Sequence, residues 1–121
     1  MKSYLCFYCN DYGESKDHVP PVSCSDVYEE DQRYVVRCCL LCNSLLGSRA
    51  LLSFLARNDY LLIKYECRFK KLLSMPYWST EEISELKGKL KRKIIMTIKK
   101  KKYIENKILF IKQNISILQG Y

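Results

Sequence analysis

The chain begins with short segments bounded by turn residues and then changes to apolar residues recurring every three or four positions. Residues 15–19 read as a short strand ending at Val19, because Pro20 and Pro21 stop regular pairing. Tyr34-Val35-Val36-Arg37-Cys38 reads as a second strand from its β-branched and aromatic content. Residues 10–15 form a turn, with Gly13 available for positive φ, and the acidic stretch 20–32 is a loop. A helix is predicted from Asn43 or Ser44, with Leu45, Leu46, Ala50, Leu51, Phe54 and Leu55 on one face, broken at Asn58-Asp59. Leu61, Leu62, Tyr65, Phe69, Leu72 and Leu73 predict another, ended by Met75-Pro76. The fold class is small α+β with a mainly helical C-terminal region.

Ser79 followed by Glu82 is a capping signal for a last helical stretch. Its apolar positions are Ile83, Leu86, Leu90, Ile94, Ile98, Ile104, Ile108, Ile111, Ile115 and Leu118, with a gap at Lys101 and a weak point at Gly88. One helix from 80 to 113 would be about 50 Å long. A domain of such size cannot cover so long a stripe, so the helix either pairs with a partner or breaks and folds back.

A chain of 121 residues is one small domain with an extension, which excludes a large multidomain enzyme. No apolar run approaches a membrane span and no secretory signal is evident, so no membrane association is expected. The expected location is intracellular: the cytoplasm of a bacterial host, or its nucleoid. Charge is uneven. Residues 1–36 carry three bases against seven acids, and residues 37–121 carry eighteen against six. The basic part fits a phosphate backbone, an anionic membrane surface, an acidic protein, or simply a solvated lysine face.

Seven cysteines is high for a reducing compartment, and an odd count cannot close completely into intrachain disulfides. Cys6-Phe7-Tyr8-Cys9 and Cys39-Leu40-Leu41-Cys42 are two CxxC pairs separated by 29 residues. They fit a structural Zn²⁺ site of four thiolates, against the alternative of buried or redox-active thiols. Cys24, Cys38 and Cys67 are left out of this set; strand alternation turns Cys38 away from Cys39.

Between the pairs lies the chain's one histidine, His18, directly after Asp17; Asn43 directly follows the second pair. If zinc joins the two knuckles, the predicted hairpin packs across the helix beginning at Asn43 and brings Asp17 towards it. A carboxylate and an amide oxygen are suitable ligands for Mg²⁺ or Mn²⁺. His18, on the other side of the strand, would be free to polarise a water.

This order of elements resembles the HNH, or ββα-metal, nucleases, most closely the zinc-containing recombination endonuclease VII type of phages. The resemblance spans roughly residues 4–57. It implies a zinc-stabilised, treble-clef-like core at 1–57, with Cys6, Cys9, Cys39 and Cys42 as structural ligands. It further implies Asp17 and Asn43 as ligands of a catalytic Mg²⁺ (or Mn²⁺), His18 as general base, and phosphodiester hydrolysis leaving 5′ phosphate and 3′ hydroxyl. Gly47 also matches. Leu46 departs from the basic residue many relatives carry there, and no histidine follows in the helix.

Arg49, Arg37 and Arg57 are candidates to contact the scissile phosphate, Arg49 first because it follows Asn43 by one or two helical turns. Residues 58–121 would contact DNA or form a homodimer, with Lys87, Lys91, Arg92, Lys99, Lys100 and Lys102 off the apolar stripe. The expectation is therefore a DNA endonuclease. The alternative is a non-catalytic zinc-stabilised module that binds nucleic acid or serves as a protein-interaction adaptor.

Overall fold

The computed structural model describes residues 4–19, 34–47, 49 and 51–120. Two strands, β1 (Ser15–Val19) and β2 (Tyr34–Cys38), pair antiparallel with Asp17 opposite Val36 and His18 opposite Val35. Five helices follow: α1 (Leu40–Leu46), α2 (Phe54–Arg68), α3 (Lys70–Ser74), α4 (Thr80–Ser84) and α5 (Gly88–Gln119). The small α+β class holds, and both strands lie where the side-chain pattern puts them. The expected loop 20–32 and Cys24 lie outside the described residues.

The helix boundaries differ from expectation for local reasons. Gly47 ends α1 at φ 57°, a conformation that costs glycine little. The next helix then starts under a new cap, with Ser53 Oγ accepting from the Ala56 N–H at 3.1 Å. It runs through Asn58-Asp59 without a break. Asn58 is buried and satisfied, its amide donating to the Phe54 carbonyl one turn back at 2.8 Å. The Ser79–Glu82 capping box forms as expected, but it caps only the five-residue α4. Residues 85–87 separate α4 from α5, which starts at Gly88 with φ 65°.

Gly13 does not supply positive φ; Asn10 does, at 65°. Gly13 is needed for space instead. A Cβ there would meet Arg37 Cβ and the Cys6 backbone nitrogen, each at 3.1 Å.

One apolar cluster runs through the molecule. It joins Cys6, Tyr8, Cys9, Cys38, Cys39 and Cys42 to Leu46, Leu61 and Tyr65, and to Ile104, Ile108 and Ile111 of α5. The second half of α5 thus folds back on its own chain and covers much of the stripe that argued for a partner helix. Lys101 fills the gap in that stripe. Its stem is buried and its ammonium donates to the Met75 carbonyl and sits over the Tyr77 ring. The first half of α5 is less covered, with Leu90 and Met96 exposed.

Candidate zinc centre and basic helix

The first knuckle turns tightly because Asn10 adopts positive φ, letting its N–H reach the Cys6 carbonyl at 3.0 Å. The second knuckle is the start of α1. Cys39 is the N-cap, and its sulfur accepts from the Cys42 N–H at 3.3 Å. A backbone bond from Phe7 N–H to the Arg37 carbonyl, 2.9 Å, fastens one knuckle to the strand leading into the other.

The result brings four buried thiols together. The sulfurs of Cys6, Cys9, Cys39 and Cys42 all lie within 4.8 Å of one another, and Cys9 and Cys39 are 3.6 Å apart. Tetrahedral zinc with bonds of about 2.3 Å needs sulfurs roughly 3.8 Å apart. The quartet is a potential structural zinc site, of the closed kind in which four protein ligands leave no position for a reacting water. Cys38 is buried beside it without belonging to it, its thiol facing the Cys39 carbonyl at 3.4 Å.

The charge balance explains what a cation would do here. Hydrogen bonds from Cys38, then from Cys39, Cys42 and Cys9, pull the Cys6 thiol well below the usual range. The Cys42 and Cys9 thiols are pushed up, in each case first by the hydrogen bond with Cys39. Packed sulfurs cannot all ionise without a positive ion between them, and Zn²⁺ supplies one.

An outer layer of donors faces the sulfurs, and sequence reasoning missed it. Lys107 of α5 is buried, with Nζ 3.2 Å from Cys9 Sγ, 3.5 Å from Cys39 Sγ and 3.1 Å from Asp11 Oδ2. Burial alone would lower its pKa, yet the Cys9 and Cys39 charges and Asp11 hold it above the usual lysine value. The Tyr65 hydroxyl lies 3.0 Å from Cys42 Sγ. Burial, followed by the Cys42 charge, raises the Tyr65 pKa and keeps that hydroxyl a donor. Asn114 donates to the knuckle carbonyls of Tyr8 (2.9 Å) and Phe7 (3.3 Å). Nothing local marks Lys107, since it looks like any other member of a lysine-rich helix.

The expected catalytic centre is not assembled. Asp17 is buried, and both of its oxygens are taken. Arg57 Nη2 lies 2.7 Å from Oδ1 and Oδ2, Arg57 Nε donates to Oδ2 at 3.1 Å, and the Tyr8 hydroxyl donates to Oδ2 at 2.5 Å. Asp17 is therefore neutralised by a guanidinium. The Asn43 amide donates to Ser15 Oγ at 3.3 Å. His18 points to the opposite face of β1 from Asp17, half-buried, opposite Val35.

Of the arginines proposed for a phosphate, Arg57 is buried in this ion pair. Arg49 is exposed over the Tyr60 ring at 5.1 Å, and Arg37 donates to the Gly13 carbonyl at 3.3 Å. Among the described residues, the thiol quartet is the one group of His, Cys, Asp or Glu side chains placed to hold a metal. A second, catalytic Mg²⁺ or Mn²⁺ site on Asp17 and Asn43 has no support. The HNH resemblance is overturned here, and with it the readings as a phage nuclease, an endonuclease and an HNH-type phosphodiester hydrolase. The local order of Cys, Asp-His and Cys-Asn is present, but its side chains make a fold-stabilising lock.

The described helices include none long and apolar enough to cross a membrane. No family model, curated protein or solved structure matches the chain.

Proposed function

We propose that the protein is a non-catalytic, zinc-stabilised nucleic-acid-binding module that lays α5 along the phosphate backbone of DNA. One observation carries the reading. Residues 87–104 hold nine bases and no acid. Lys89, Arg92, Lys93, Lys99 and Lys100 are all exposed there. At 100° per residue these five occupy an arc of about 120° and a length of about 17 Å. A cationic strip on a rigid helix releases counterions from a duplex without reading bases. The buried Asp17–Arg57 pair supports the same conclusion, because it commits the acidic group otherwise available for metal chemistry.

The test is fluorescence anisotropy with a labelled 20-base-pair duplex, comparing the zinc-loaded parent with a variant carrying Lys89→Gln, Arg92→Gln, Lys93→Gln, Lys99→Gln and Lys100→Gln. A loss of at least tenfold in affinity supports the reading; equal affinity refutes it.

The adaptor reading has one observation in its favour. An apolar groove of about 310 Å³ lies between Met75, Pro76 and Trp78 on one side and Leu90, Ile94 and Ile98 on the other. A partner protein seated there would be displaced by Trp78→Ala, whereas DNA affinity would not change.

A further inference from the structure

We propose that zinc occupancy and the docking of α5 are one coupled equilibrium, with Lys107 as the cation that completes the metal centre and Asn114 as the clamp that transmits its state to the helix. Its bearing on nucleic acid rests on the reading above; the coupling itself does not.

A Zn²⁺ ion held by four thiolates carries a net charge of −2, because the protons the thiols still hold leave to solvent when the metal binds. That charge would sit in a site whose ligands are all buried, where water cannot compensate it. Among the described residues, Lys107 is the cation placed against the sulfurs, within 3.5 Å of two of them. It comes from α5, 68 residues beyond the nearer of those two cysteines in sequence. The helix therefore does more than cover the site: it supplies part of the counter-charge.

Asn114 acts on the same knuckle from two turns further along α5. Its amide holds the Phe7 and Tyr8 carbonyls, which lie between Cys6 and Cys9, and also reaches Asn58 Oδ1 on α2 at 3.4 Å. These carbonyls keep that position only while the knuckle is closed. Loss of zinc therefore removes two attachments of α5 together. Lys107 keeps Asp11 but no longer faces sulfurs gathered around a metal, and Asn114 faces a loop no longer closed by metal. Ile104, Ile108 and Ile111 still attract α5 to α2, but they pack in a cluster that includes those same cysteines. By linkage, whatever factor zinc contributes to α5 docking, α5 docking contributes to zinc affinity.

The consequence is that the metal governs how the basic strip is presented. With zinc bound, α5 is fixed against the core from Lys101 to Asn114, and its lysines project from a rigid rod. Without zinc, that anchoring loosens.

The experiment uses the full chain and the metal alone. Cobalt(II), whose thiolate absorption reports a four-sulfur site, is titrated and then displaced by Zn²⁺, while hydrogen exchange is followed over residues 104–118 with and without a chelator. For the parent, chelation should raise exchange across 104–118 by at least tenfold. Lys107→Gln should weaken zinc at least tenfold and raise exchange in the zinc-loaded form. Lys107→Arg should recover part of the affinity, and Lys112→Gln on the exposed face should match the parent. Should Lys107→Gln not fold, Asn114→Ala serves: it should raise exchange at 104–118 and lower zinc affinity together. Parental zinc affinity in Lys107→Gln or Asn114→Ala, or exchange at 104–118 indifferent to chelation, would overturn the coupling. None of these readouts contains nucleic acid, so failure of the coupling and failure of the DNA-binding reading remain distinguishable.

Discussion

Arg57 and Asp17 meet at 2.7 Å across 40 residues of sequence, and both side chains are almost wholly buried. The pair joins α2 to β1 and carries Tyr8 with it, whose hydroxyl also accepts from Arg57 Nε at 2.9 Å. Burying two charges is costly unless each is fully bonded, and here the guanidinium and carboxylate satisfy one another.

Breaking that pair should therefore damage the fold. Arg57→Ala leaves a buried carboxylate with Tyr8 as its one remaining side-chain donor among the described residues, and should destabilise the protein by about 3–5 kcal/mol. Urea denaturation of the zinc-loaded protein measures this directly. His18→Ala, by contrast, should leave zinc affinity and DNA affinity within twofold of the parent, because His18 faces away from the lock. A large loss with His18→Ala in either assay would contradict the account of β1.

Much of this arrangement is legible from the chain, and the remainder has a physical reason for being hidden. The strands, the Ser79 capping box and the two CxxC pairs depend on residues within a few positions of one another. Those signals survive reading one window at a time. Arg57 and Lys107 do not, because their meaning comes from partners 40 and 98 residues away. The Asp17-His18 order suggested hydrolysis because a local motif is silent about which cation reaches the carboxylate. Asn58-Asp59 looked like a helix end, and a single side-chain bond back to Phe54 makes it part of the interior of α2.

Metal removal should open the N-terminal half. One zinc per chain is expected, and Cys42→Ala should release it and abolish protection of the hairpin in hydrogen exchange. Acid should do the same. Zinc needs deprotonated thiols, so it lowers their effective pKa below the free value near 8.5. Its stabilisation is then present at higher pH and is lost as pH falls through that lowered value. Zinc release followed with a chromogenic chelator should rise monotonically from pH 8 to pH 5; a flat profile would contradict a thiolate site.

The glycines separate two kinds of constraint. Gly88→Ala meets no atom within 4 Å, so its cost is the left-handed backbone alone, about 1 kcal/mol. Gly13→Ala would press a methyl against backbone and Arg37, and should cost more than Gly88→Ala in thermal melts. The reverse order would mean that the knuckle and β2 are less tightly joined than the Phe7–Arg37 backbone bond implies.

The salt dependence of duplex binding tests the central claim most directly. Five backbone contacts from α5 should give a slope of about −4.5 in log K against log salt, at roughly −0.9 per phosphate neutralised. Each Lys→Gln change in the strip should flatten the slope by about one contact, with no preference between duplex sequences. The account predicts that result for the zinc-loaded protein. A slope near zero, or a steep slope unchanged when the strip is neutralised, would contradict it.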